Sequence, residues 1–222
     1  MQKEHLATVV HLQNEYTFAI VGCGTMGLLI ACELLRRGCR IFIYDNNTFR
    51  CHSILTCMKA MLTSHLGRDI DEHGIGMLTK CVYIASDLAE IASSGCNAII
   101  EAVPEALQTK REVASSIIGI LIANAIPPEK IIIFSNTISI PIESIMYGLD
   151  DMYSCRLMGL RFLYPVLFIH DVEITKCSRN TDELLHTTMR MLRSMNFKSA
   201  VRDRLSERKL TQTAIFISLS AP

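Results

Sequence analysis

The feature that most constrains the fold is a strand–glycine–helix–strand pattern at residues 17–45. An apolar run, Thr17-Phe18-Ala19-Ile20-Val21, enters Gly22-Cys23-Gly24-Thr25-Met26-Gly27. An amphipathic segment follows as far as Gly38, and then Arg40-Ile41-Phe42-Ile43-Tyr44 leads to the acid Asp45. A G-x-G-x-x-G run alone says little. Flanked by two strands and a helix, and closed by an acid, it is the sequence form of a dinucleotide-binding βαβ unit. Gly22 lets the chain turn sharply off the strand. Gly24 lets the backbone approach a pyrophosphate, and Gly27 lets the helix pack tightly on the sheet. Thr25 and Met26 open the helix whose N-terminal N–H groups face the phosphates, and they join the candidate cofactor-binding set. Asp45 lies 18 residues beyond Gly27, where a carboxylate accepts from ribose hydroxyls and repels a 2′-phosphate, so NAD is expected over NADP. Arg50 is near enough to soften that preference. A glycine-rich turn that binds nothing is the alternative reading.

Downstream, helical and strand patterns alternate. A helix is expected at about residues 48–66, a polar glycine-containing break at 67–76, and a short strand at 82–84. A short helix capped by Ser86 or Asp87 follows. Asn97–Val103 reads as a buried strand that Pro104 ends, opening a long helix from Glu105 to about Asn124. Lys130–Phe134 is a second continuous apolar strand, as a sheet covered on both faces requires. A short helix at 139–146, strands at 157–163 and 172–176, and a helix from Thr181 to about Met195 complete the pattern. Strands alternating with helices predict an α/β fold, a Rossmann-type doubly wound, mostly parallel sheet. The expected organisation is an N-terminal extension at 1–15, one dinucleotide-binding domain at 16–204 and a divergent tail at 205–222.

Composition narrows the class. The chain has 222 residues, half of them apolar, with equal numbers of acidic and basic side chains. That is enough for a real core and gives no electrostatic reason for a nucleic-acid or membrane-surface partner. No apolar run is long enough to span a bilayer. Nine cysteines without C-x-x-C spacing read as reduced thiols of an intracellular protein rather than a zinc site. Residues 1–16 contain no Arg, unlike a mitochondrial presequence. Cytoplasm is the expectation by elimination, with a mitochondrial location left open.

Several motifs together resemble one family, the L-3-hydroxyacyl-CoA dehydrogenases, in their N-terminal NAD-binding domain. They are VGCGTMG at 21–27, YD at 44–45, SDL at 86–88, IIEAVPE at 99–105, Lys110, SNTIS at 135–139, GLRFLYPV at 159–166 and VEITK at 172–176. The resemblance implies that Glu105 and Lys110 line the cofactor cleft and that Ala102 and Val103 form its small apolar wall. It also implies that Ser135, Asn136 and Thr137 end a strand beside the nicotinamide. For Asn136, a turn residue capping a strand is the alternative.

The family's reaction uses a His–Glu pair, in which the imidazole takes the hydroxyl proton while hydride leaves to NAD. Here Arg161 stands at the histidine position, and Glu173 follows 12 residues later, where the family's Glu is expected. The family's Asn is Tyr164, and the Ser after its SNT segment is Ile138. A guanidinium stays protonated and offers no lone pair, so Arg161 cannot act as the base. Losing a positioned base costs about 10²- to 10⁴-fold in rate. Arg161 and Glu173 are candidates for an ion pair, and Arg161 is also a candidate clamp for an anionic ligand. His170 is expected to be a structural or surface residue.

The family's V-x-D-x-P-G-F segment begins here as Val201-Arg202-Asp203-Arg204. Leu205-Ser206-Glu207 replaces the rest and the chain stops at Pro222, so the family's helical C-terminal domain is expected to be absent. Three functions stay open. One is an NAD-binding dehydrogenase relative with lost or weakened hydride transfer. Another is an active oxidoreductase on an acyl-CoA or other small molecule. The third is a non-enzymatic NAD-sensing or interaction module with a protein partner or a second copy of itself.

Overall fold

The computed structural model describes residues 16–66 and 71–202. The expected extension at 1–15 and tail at 205–222, with the Asp203–Glu207 departure, lie outside the described residues. In chain order the elements begin with β1 (Thr17–Val21), α1 (Thr25–Arg36), β2 (Arg40–Tyr44), α2 (Thr48–Leu66), α3 (Glu72–Thr79) and β3 (Val82–Ile84). Then come α4 (Leu88–Ser93), β4 (Ala98–Glu101), α5 (Leu107–Ala123) and β5 (Ile132–Ser135). The last are α6 (Ile142–Met146), α7 (Asp151–Ser154), β6 (Leu157–Phe162), β7 (Asp171–Thr175), α8 (Asp182–Ser194) and β8 (Lys198–Arg202).

The strands form one sheet in the order β3-β2-β1-β4-β5-β6-β7-β8. β1 to β6 are parallel, β7 runs antiparallel to β6, and β8 runs parallel to β7. This is the expected doubly wound, mostly parallel α/β fold. Along β1 the two-residue period sends Phe18 and Ile20 to one face, against α1 and α2. Ala19 and Val21 go to the other face, against α5. The order reverses between β1 and β4, and the carboxyl ends of both strands open on the crevice where such sheets bind ligands.

Three local differences, and the choice between the two expected caps of α4, have physical causes. The break expected at 67–76 contains the start of α3. Asp71 caps that helix by accepting from the Gly74 N–H at 2.8 Å, and buried Ile75 and Leu78 offset the low helix propensity of its two glycines. The long helix opens at Leu107 rather than Glu105, because Ala106 is extended and is the N-cap. Asp87, not Ser86, caps α4, while Ser86 instead donates to the Glu90 carboxylate. The short helix α7 rests on a cap too local for a periodicity reading, with Asp150 accepting from Met152 and Tyr153. The nine cysteines are all free. Among the described residues no helix is long and apolar enough to cross a membrane, and no group of three His, Cys, Asp or Glu side chains is placed to hold a metal ion.

Candidate functional site

The glycine turn is shaped by close approach. Gly22 has φ +104°, and a Cβ there would lie 2.9 Å from the Ala102 backbone, so the turn needs both the conformation and the missing side chain. A Cβ on Gly27 would fall 1.9 Å from the Gly22 carbonyl oxygen, which makes Gly27 a packing residue beneath the turn. Gly24 differs, since a Cβ there would meet nothing within 4 Å. Its bare face borders the crevice. Gly24 is also the N-cap of α1, with no side-chain cap and no acid in the first turn. Those N–H groups and the positive end of the helix dipole suit a pyrophosphate.

The crevice measures about 830 Å3. Gly22, Gly24, Thr25, Met26 and Asp45 line it on the β1–β2 side, and Ala102, Val103, Glu105 and Asn136 on the β4–β5 side. Asp45 is nearly buried. Its Oδ2 accepts from the Cys23 N–H at 2.7 Å and its Oδ1 from the Asn47 N–H at 2.8 Å, so it braces the glycine turn as well as facing the crevice. Burial, reinforced by the neighbouring Asp45 and Cys51, pushes the Cys23 thiol well above its ordinary range and keeps it neutral.

Lys110 departs from expectation. It does not line the crevice but is fully buried under it, with Nζ donating to Glu101 Oε1 at 2.8 Å and Oε2 at 3.1 Å, and lying 3.5 Å from Glu105 Oε2. The cause is Glu101, a carboxylate at the end of an apolar strand that needs a buried counter-charge. Glu101 also accepts from the Ser135 hydroxyl at 2.6 Å and the Val103 N–H at 2.7 Å. Ser135 is thereby drawn beneath the crevice. The sequence reading missed Glu101 as a hub, and its one signal was an acid inside Ala98-Ile99-Ile100-Glu101-Ala102.

Glu105 lies on the crevice wall. Its Oε1 accepts from the Thr137 hydroxyl at 2.7 Å and from the N–H groups of Ser139 at 2.8 Å and Ile138 at 2.9 Å. Burial alone would raise this carboxyl. The hydrogen bonds from Ser139, Thr137 and Ile138 outweigh it, with Lys110 adding to them, and together hold it at about 2. Asn136 ties β5 to β6, its Oδ1 accepting from the Phe162 N–H at 3.1 Å.

Beyond β5 the picture changes. Arg161 and Glu173 face each other across β6 and β7. Arg161 Nη1 lies 3.3 Å from Glu173 Oε2, and Arg202 Nε, from β8, lies 3.1 Å from the same oxygen. Neither Arg161 nor Glu173 is among the residues lining the crevice. His170 turns elsewhere: its Nδ1 is 2.9 Å from Arg37 Nη2 and 3.3 Å from Glu33 Oε1, at the end of α1. Ile138 and Tyr164 are 62% and 70% exposed.

The sequence matches the family model for the 3-hydroxyacyl-CoA dehydrogenase NAD binding domain over residues 17–204. The chain belongs to that family. A curated relative, 5-formyl-3-hydroxy-2-methylpyridine 4-carboxylate 5-dehydrogenase of Mesorhizobium japonicum, is 27% identical over 186 residues, covering 82% of this chain and 56% of its own length. Among solved structures, the 3-hydroxybutyryl-CoA dehydrogenase of Escherichia coli K12 superposes with a TM-score of 0.74 at 23% identity, over 85% of this chain and 38% of its own. A 5-formyl-3-hydroxy-2-methylpyridine 4-carboxylic acid 5-dehydrogenase, described as an NAD+-dependent dismutase, gives 0.70 at 24%, over 90% and 62%. The chain thus spans about half the length of the curated relative. Its fold is that of an NAD-binding dehydrogenase domain, and the open Gly24 face, the uncapped α1 and Asp45 fit that cofactor.

Proposed function

We propose that this domain holds NAD(H) in the Gly22–Asp45 crevice on a dehydrogenase scaffold whose hydride transfer to 3-hydroxyacyl-CoA-type substrates is lost or greatly weakened. One observation carries the reading: the Glu173 carboxylate, which the family pairs with an imidazole, is paired with two guanidiniums. Arg161 has no lone pair with which to take a hydroxyl proton, and Arg202 shares Glu173 Oε2 with it. Exposed Ile138 and Tyr164 replace polar partners for the substrate oxygen. In the crevice, Gly24 and the α1 N-terminus receive the pyrophosphate, Asp45 the ribose, and Ala102 and Val103 the flat face of the nicotinamide. NAD would supply the hydride acceptor, and the residues lining the crevice would bind and orient it.

Separate titrations with NADH and acetoacetyl-CoA test this. Saturable NADH binding is expected, and a failure of NADH to bind contradicts it. A second reading has its own support. Arg161 keeps its side chain 28% exposed, and the Mesorhizobium relative is named for a carboxylate-bearing substrate. On that reading Arg161 clamps a substrate carboxylate in an active oxidoreductase, and Arg161→Ala should abolish turnover of such a compound. The non-enzymatic NAD-sensing reading shares the crevice and differs in expecting no turnover with any hydroxy or keto substrate.

A further inference from the structure

We infer that Arg50 makes the ribose end of the crevice tolerant of a 2′-phosphate, so that NADPH binds alongside NADH. The inference rests on the crevice reading above and adds a residue that decides between the two cofactors.

Asp45 alone would exclude a 2′-phosphate by charge repulsion. Its setting weakens that exclusion. Both carboxylate oxygens already accept backbone N–H groups, from Cys23 and Asn47. The two bonds spread the charge into the glycine turn and point the carboxylate inward, leaving it nearly buried. Arg50 stands on the rim with Nη1 3.9 Å from Asp45 Oδ2 and with its side chain 57% exposed, lining the same crevice. At that separation the guanidinium offsets the Asp45 charge loosely while keeping donors available to a ligand oxygen. Asn46 and Asn47 complete a polar, uncharged rim beside it. The first turn of α2, which carries Arg50, contains no acid to oppose a phosphate. The remaining acids on the crevice lining, Glu105 and Glu112, belong to the β4–α5 side.

A 2′-phosphate would therefore meet Arg50 outside and Asp45 deeper in. NADH stays the tighter ligand, because the phosphate still feels Asp45 and a ribose hydroxyl does not. The gap is expected to be modest, within about 30-fold, since an exposed guanidinium–phosphate contact recovers about tenfold.

The test is a binding titration that requires no catalysis. The chain contains no Trp, so the fluorescence of the reduced nicotinamide itself reports binding. NADH and NADPH are titrated against the full chain, Arg50→Ala and Arg50→Lys, at low and moderate salt. Arg50→Ala should weaken NADPH about tenfold and NADH less than about twofold, with Arg50→Lys in between and the difference shrinking as salt screens it. NADH binding without measurable NADPH binding overturns this inference and leaves the crevice reading intact. A parallel loss of both nucleotides in Arg50→Ala also overturns it, because Arg50 would then be a general support. Failure of both to bind the wild-type chain removes the crevice reading and this inference with it.

Discussion

Glu101 and Glu173 are both strand carboxylates paired with cations, and their surroundings divide the molecule in two. Glu101 sits at the end of β4 with a fully buried lysine, a serine hydroxyl and a backbone N–H on it, all within 3.1 Å. Glu173 sits on β7 with two partly buried arginines sharing one oxygen at 3.1 and 3.3 Å. The first group underlies the crevice and joins β4, α5 and β5 into one frame. The second cross-links β6, β7 and β8 at the sheet edge. The difference teaches where this scaffold is held to its cofactor task. Around the crevice, geometry is over-determined by backbone contacts and buried charge. At the β6–β8 edge, Glu173 is held only by a partly buried ion cluster, where the proposed loss of proton transfer is located.

The largest effect is expected from Lys110→Met, which leaves Glu101 buried without its cation. Breaking such a pair costs about 3–5 kcal/mol, measured by urea unfolding. The double variant Glu101→Gln with Lys110→Met should recover part of that loss. A cost below about 1 kcal/mol for Lys110→Met would erase the contrast.

Gly27→Ala comes next. The added methyl would fall 1.9 Å from the Gly22 oxygen, so the turn must shift, at about 1–3 kcal/mol, with loss of NADH binding. Normal NADH affinity in that variant would remove the turn from the cofactor site.

Glu105 adds a pH test. Its folded carboxyl is held at about 2, below its unfolded value. Its contribution to stability is therefore complete above the unfolded pKa, about 4.3, and is lost as pH falls through that window towards 2. The stability gap between wild type and Glu105→Gln should be constant near neutrality and close between about pH 4.3 and 2 in thermal melts. A gap that persists at pH 2 would mean the carboxylate is not what orders residues 137–139.

The smallest effect belongs to the reaction edge. Arg161→Ala should change stability by about 1 kcal/mol, because the pair is only partly buried and Arg202 still holds Glu173, and leave NADH affinity within about twofold. A large loss in either would tie Arg161 to the cofactor frame and merge the two regions.

The crevice was largely legible in the sequence because glycines report backbone constraints directly. Gly22 must have positive φ, Gly27 must lack a side chain, and Asp45 must end its strand; each of these needs is local. Lys110 was misread because its partner, Glu101, is nine residues away across a strand end, a loop and a helical turn. Sequence spacing does not say that such a lysine points down rather than into the cleft. Arg202 was unreadable as a partner for Glu173 for a related reason. The pairing arises from an antiparallel reversal at β7 followed by a parallel strand, β8, which sets Arg202 level with Thr175 and within reach of Glu173. Helix α3 was hidden by its glycines, whose propensity cost is outweighed by burial and a cap that no hydropathy pattern reveals.

The central claim is a retained NAD grip with no proton acceptor at the reaction edge. It is tested most directly by following NADH oxidation in the presence of saturating acetoacetyl-CoA with the purified chain, at NADH concentrations that saturate its binding. The expected result is bound NADH with oxidation at or little above the protein-free rate. Clear, protein-dependent turnover would contradict it and return Arg161 and Glu173 to the catalytic machinery.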